Sequence, residues 1–418
     1  MKITLSHKNI QSILPLAVEW INVLSTLYLI STLILPFEYQ RPAIFAYFIS
    51  TPIDIIVNKR YINNHWHKSK FTFIAMITFY LCMWIWHIFS SCSNLELFHS
   101  TDTRLPFIIF GLFGICFSLN PKIKINLITY TMLIASFLVT GYTILQKYDI
   151  IFSPDITLNS FRDLLPNIRH ELLHVTHIEF NLYLNCTMTL CFIGIIENNK
   201  KIIKLLLSIG LLFVYTLLLI NEGRTGFITA NILLLIFIIY TIYHYKPKFL
   251  IPATTLLILS IIIISKNHDR LDINYIKHEP RIPIWNLALD IIKEKPLVGH
   301  GVCHGRELFI EKSSNNPDLN RFWNFWHSIQ PNYNKNRFHC HNAFLESAIE
   351  FGLFGLIITS LIFLLPILLT RGKKRLYLSF FVIIFGIQAM FESFTFHSQI
   401  LLFCWLIYFF TNTNLIEE

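Results

Sequence analysis

The chain has 418 residues, of which 54% are hydrophobic and 15% aromatic while only 14% are charged, against about 25% charged in an ordinary soluble domain. So few charges cannot cover the surfaces of several water-soluble cores, and 14 Gly, 16 Pro and 8 Cys exclude collagen-like, disordered and disulfide-stapled classes. A mean hydropathy of +0.54 points to a lipid-embedded chain, so the net charge of +9 has to be read from the positions of Lys and Arg before it says anything about partners.

Crossing about 30 Å of hydrocarbon takes about 20 mostly apolar helical residues. Runs of that kind lie at 11–35, 42–57, 71–91, 105–119, 125–145, 178–196, 202–221, 225–244, 249–265, 342–369, 376–391 and 396–412. The expected fold is an all-α integral membrane protein of about twelve transmembrane helices. Helices one to nine fall in 1–265, a large loop subdomain in 266–341, and the last three helices in 342–418. The first run is expected to stay as an anchor, because it carries Glu19, has no Ala-x-Ala site and is too long for a signal peptide.

The distribution of cations sets an orientation. With the N-terminus inside, the inner turns hold Lys59, Arg60, Lys68 and Lys70; Lys122 and Lys124; Lys200, Lys201 and Lys204; Lys246 and Lys248; and Arg371, Lys373, Lys374 and Arg375. The short outer turns hold only Arg41, Arg104 and Arg224. Both termini are therefore expected in the cytoplasm. Two outer segments, 146–177 and 266–341, are too long for plain connectors, and loops of that size are usually functional. The larger one has helical patterning around Ile284 to Lys293 and reads as a small capping subdomain.

Several groups of residues carry chemistry. In Asn221-Glu-Gly-Arg224-Thr-Gly226 a lone Arg stands at an outer turn, against the inside bias. It either snorkels or caps a helix, or it presents a planar bidentate donor to an anionic group such as phosphate. Pro280-Arg281-Ile-Pro-Ile-Trp285 places Arg281 and Trp285 on one helical face, and Pro296-Leu-Val-Gly299-His-Gly301 ends that helix. In His339-Cys-His341-Asn342 followed by Gly352-Leu-Phe-Gly355, a titratable imidazole stands at the mouth of a helix whose glycines permit close packing. Either that His is an acid/base group or it is a structural residue at a helix terminus.

Competing signals are present. His170-Glu171-Leu-Leu-His174 matches the zinc-protease pattern, and Asn316-Pro317-Asp318 is akin to a second motif of intramembrane metalloproteases, with Leu319 where Gly is expected. The pattern lies in a loop, however, and His occurs 17 times, so a chance match is not rare. Glu19, Asp54 and Glu179 within predicted spans are the pointers to a secondary transporter. Cys303 and Cys340 share the large outer loop and either form a disulfide or remain free thiols.

Taken in chain order, Arg224-Thr-Gly226, the Arg281 to Gly301 segment and His341-Asn-x9-Gly-x-x-Gly resemble the O-antigen ligase and polymerase superfamily of polytopic bacterial membrane glycosyltransferases. The likeness covers about 220–356, and the last motif is the most specific. Length, the His pair and the acidic Glu392 after the next span make the chain look most like the O-antigen ligase. The resemblance implies a GT-C-like fold and a multi-pass inner-membrane enzyme with a periplasmic site. It implies transfer of O-polysaccharide from undecaprenyl diphosphate to a sugar hydroxyl of lipid A-core, with inversion and with no metal or other cofactor. Its partners would be these two lipids and the surrounding membrane, with no nucleic acid. It assigns catalysis to His341, Arg281 and Arg224, and substrate binding to His339, Asn342, Trp285, Glu392 and Arg306. An O-antigen polymerase is the nearest alternative.

Overall fold

The computed structural model describes residues 7–60, 70–87, 94–148, 158–221, 223–245, 281–319, 339–393 and 397–412. Among these residues there is no extended strand; all regular structure is helical. The helices are α1 His7–Thr32, α2 Phe37–Val57, α3 Lys70–His87, α4 Asn94–Cys116, α5 Ile125–Gln146, α6 Leu158–Leu173, α7 His177–Glu197, α8 Lys201–Ile220, α9 Arg224–Tyr245, α10 Arg281–Glu294, α11 Val302–Ser314, α12 Ala343–Leu368, α13 Gly372–Phe391 and α14 His397–Asn412. Seven of them, in α1, α5, α7, α8, α9, α12 and α13, are long and apolar enough to cross a membrane. A helix of 20 residues spans the hydrocarbon and satisfies its own backbone, which lipid cannot do. The predicted run at 249–265 lies outside the described residues. In the large loop, the patterning around Ile284 to Lys293 is realised as α10.

By Cα proximity the chain divides into two units: residues 1–66, 113–237 and 405–418 make one, and 67–112 with 238–404 make the other.

In the first unit α7 is buried along nearly its whole length, from Phe180 to Gly194. It starts in a capping box, with Thr176 and Glu179 satisfying each other's end groups, which stabilises an N-terminus by about 1 kcal/mol. The acids flagged in α1 and α2 are paired. Glu19 binds Arg60 at 2.7 Å and Lys122 at 2.5 Å, while Asp54 binds Arg60 at 2.7 Å and accepts from Asn58 Nδ2 at 2.7 Å. Sharing Arg60 makes these carboxylates a closed network at low polarity.

In the second unit α12 packs against α3, α10, α11 and α13. Arg104, expected in an outer turn, instead lies inside α4, is 7% exposed and makes a bidentate pair with Glu350 at 2.8 and 3.2 Å. Its guanidinium also lies 5.7 Å from the Phe79 ring centroid. Loop-counting of cations missed this because a compensated charge is tolerated within a bundle. α10 and α11 share an apolar core with the start of α12, built from Ile284, Leu287, Ala288, Ile291, Phe309, Leu319, Cys340 and Ile349.

Candidate active site

The second unit's site is built on a broken helix. α12 is interrupted at Gly352, whose φ of 66° and ψ of −152° belong to a region essentially reserved for glycine. A break inside a helix leaves backbone donors and acceptors that have to be paired. The turn after α10 supplies them: His300 N donates to Ile349 O at 2.8 Å, Gly301 N to Glu350 O at 2.9 Å, and Leu353 N to Pro296 O at 2.7 Å. The approach is close enough that a Cβ on Gly352 would lie 2.4 Å from the Leu297 carbonyl, and one on Gly299 2.5 Å from Gly352 N. The Pro-Leu-Val-Gly-His-Gly and His-Asn-x9-Gly patterns are thus two halves of one interlock. His300 Nε2 donates to Ile291 O at 3.0 Å, which ties the turn back to α10.

This interlock positions the N-terminal half of α12 and the residues before it. Asn342 is the N-cap of α12: its Oδ1 accepts from Phe344 N and Leu345 N at 3.0 Å each, and its Nδ2 donates to Met390 O at 3.0 Å. It therefore fixes the start of α12 to the end of α13. His341, just before it, has a φ of 50°, which is uncommon for a residue with a side chain. Its Nδ1 meets Glu392 Oε2 at 3.0 Å, and Arg281 Nη2 donates to the other oxygen, Oε1, at 3.0 Å. Glu392, at the C-cap of α13, is 5% exposed. Arg281 and Trp285 share one face of α10, and the Trp285 ring sits 5.9 Å from that of Phe391. The His339 ring stands perpendicular to that of His341, with centroids 4.1 Å apart.

The electrostatics assign protons. Burial pushes the Glu392 carboxyl up, but the His341 hydrogen bond and the charges of His341 and Arg281 outweigh it, leaving the pKa below the ordinary carboxylate value. An ionised carboxylate only accepts, so His341 Nδ1 carries the proton between them, and Nε2 is the ring nitrogen left to face a substrate. Burial, reinforced by the charge of His341, lowers the pKa of His339 to about 4, so it is neutral at pH 7. Arg306, exposed on α11, adds a smaller push in the same direction. His339, His341 and Glu392 each offer a ligand atom, all within 4.8 Å of one another. The arrangement can therefore accept a proton at Nε2, hold an anion at Arg281, or bind a cation.

Arg224 belongs to the first unit. It opens α9, after Gly223 at φ 117°. A Cβ on Gly226 would lie 2.6 Å from Asn181, which explains the glycine two residues beyond the arginine. Asn185 Nδ2 donates to Gly226 O at 3.2 Å, Arg169 Nη2 donates to Asn221 Oδ1 at 2.9 Å, and Asn221 Nδ2 donates to Asn181 Oδ1. Arg169 is 2% exposed, with its guanidinium 3.9 Å over the Phe180 ring. These supports come from α6 and α7. The sequence reading did not single them out, although Asn181 and Asn185 stand four residues apart on an otherwise apolar helix.

Residues 207–360 match a family model described as O-Antigen ligase. Over this segment the chain is similar to the O-antigen ligase/polymerase superfamily. The matched segment contains the Arg224 turn, α10, the Pro296 to Gly301 turn and the broken first half of α12. Among curated proteins, none matches the chain. Glu392 and the α6 and α7 residues behind the Arg224 turn lie outside the matched O-antigen ligase segment.

The O-antigen ligase reading gains from the failure of the zinc-protease pattern. That pattern needs both His on one helical face, but α6 ends at Leu173 and His174 has a φ of 52°. Glu171 is 65% exposed and pairs with Lys147 at 3.2 Å. The Cys303 to Cys340 bridge is not formed: Cys340 is a free, buried thiol, whereas Cys303 is disulfide-bonded. The Cys340 thiol is directed at Asn342 O, 3.2 Å away, and burial pushes its pKa well up. Cys92 lies outside the described residues.

Proposed function

We propose that the protein is an O-antigen ligase of the bacterial inner membrane, with both termini cytoplasmic and its site periplasmic. The donor is an O-polysaccharide on undecaprenyl diphosphate, and the acceptor is a sugar hydroxyl of lipid A-core. His341 Nε2 takes the acceptor proton as that oxygen attacks the anomeric carbon from the face opposite the diphosphate. The carbon–phosphate-oxygen bond breaks, its electron pair leaves with the diphosphate, and configuration inverts. Arg281 stabilises the developing phosphate charge where other enzymes use a divalent cation, so the reaction needs no metal. From its own unit, Arg224 is assigned a phosphate contact. Trp285, His339, Asn342 and Arg306 are assigned to the substrates, and Glu392 orients His341 and Arg281. The observation that carries this reading is Glu392 bound on one oxygen to His341 and on the other to Arg281.

Reconstitution of the purified chain with both lipids and a chelator, with no ion gradient, tests it. Glycan transfer is expected; a system that transfers nothing until a divalent ion is added overturns the assigned roles. An O-antigen polymerase would use the same donor, and a deletion strain separates the two. Loss of a ligase leaves bare core with polymer held on its carrier, whereas loss of a polymerase leaves core bearing one repeat. The transporter alternative loses its motive, because Glu19 and Asp54 serve a structural ion-pair network and Glu179 serves the α7 cap.

A further inference from the structure

We propose that His339, His341 and Glu392 form a three-ligand site for a zinc-class divalent cation, and that its occupancy silences His341 as a base. The first half rests on geometry alone; the second rests on the function proposed above. Two imidazoles and one carboxylate suit zinc and its neighbours, whereas magnesium and calcium demand oxygen donors. Bonds of about 2.0 to 2.2 Å in a tetrahedron place ligand atoms about 3.4 Å apart. The three atoms here already lie within 4.8 Å of one another, so closure takes shifts of about 1.4 Å or less, within reach of small side-chain rotations.

A second observation points to a ligand. Nδ1 of His339 is buried and has no hydrogen-bond partner among the described residues, an unfavourable state for a polar atom. A bound ion or substrate relieves it. Arg281 holds Oε1 of Glu392 at 3.0 Å, the kind of outer partner that orients a ligating carboxylate. The charges facing the site are mixed: the cations Arg281 and Arg306 oppose a metal, while Glu346 favours one. Three protein ligands leave a fourth position open, as in exchangeable rather than purely structural zinc sites. Zinc on His341 Nε2 would occupy the lone pair that the base uses, and zinc on Nδ1 would displace the proton shared with Glu392 and leave the ring hydrogen on Nε2.

The test uses the full chain, free of any affinity tag, in detergent micelles. Equilibrium dialysis against zinc chloride should find one zinc per chain, and X-ray absorption should count two imidazole nitrogens and one carboxylate among its ligands. His339→Ala and Glu392→Gln should each weaken binding about tenfold or more, while His170→Ala in the discarded protease pattern should leave it unchanged. Absence of stoichiometric binding at micromolar zinc, an absorption spectrum without imidazole, or affinity lost with His170→Ala would overturn the site. The absorption measurement on the unaltered chain decides the matter if a variant fails to fold. Zinc should also halt glycan transfer, and a chelator should restore it. Stoichiometric zinc with transfer absent under every condition would leave the site standing and sink the ligase reading instead.

Discussion

Replacing Gly352 by Ala probes the interlock on which the site depends. The added Cβ would lie 2.4 Å from the carbonyl carbon and oxygen of Leu297 and 2.6 Å from Val298 N. These are backbone atoms, so no side-chain rotation relieves the overlap. Holding Ala at φ 66° and ψ −152° costs about 1–3 kcal/mol. The turn must also retreat to relieve the overlap, and three backbone hydrogen bonds are then lost, each contributing about 0.5–1.5 kcal/mol. The expected loss is roughly 3–7 kcal/mol, enough to lower the thermal midpoint by many degrees. Retention on size exclusion after heating, run on detergent-solubilised protein, measures it. Gly386→Ala in α13 is the internal control, since nothing lies within 4 Å of its added Cβ, and it should be neutral or gain a few tenths of a kcal/mol. Equal midpoints for Gly352→Ala and the parent chain would refute the argument that the break is held by close backbone contact.

Other expectations follow from the same contacts. His341→Ala should abolish attachment of O-polysaccharide, a loss of about 10²-fold to 10⁴-fold, and Glu392→Gln should cost less while changing the pH profile of the rate. Losses that multiply in the double variant would show that the two residues do not act as a unit. Arg281→Lys should be costly because a fixed planar donor is replaced by a point charge; smooth lipopolysaccharide at native expression would contradict that role. Glu350→Gln leaves Arg104 buried without its counter-charge and should cost about 3–5 kcal/mol, read as a lower thermal midpoint. Pairing it with Arg104→Met should recover most of the loss. Asn181→Ala should reduce donor turnover through the Arg224 turn, so that little further loss follows when Arg224→Ala is added; additive losses would argue for a purely structural Asn181.

Hydropathy made much of the architecture legible in the sequence. The spans in α1, α5, α7, α8, α9, α12 and α13 each come from a run whose local composition is sufficient cause for a helix in lipid. The helix around Ile284 and the place of His341 at the mouth of a glycine-bearing helix were legible for the same kind of reason, because those signals are contained in one short stretch. The partnerships were not. His341 and Glu392 are 51 residues apart in sequence, and Arg104 and Glu350 are 246 apart. No local period encodes such pairs.

The sequence by itself thus determined a membrane-embedded helical chain and most residues of the candidate site. Tertiary structure decided what those residues do to one another. It turned Arg104 from a loop cation into a buried partner, directed the Cys340 thiol to its own backbone, and broke α12 so that the turn after α10 could pair with it. The reason is physical. Burying apolar surface depends on composition and is nearly additive along the chain, whereas hydrogen bonds and ion pairs in a dry interior act over about 3 Å and exist only where the fold brings two groups together.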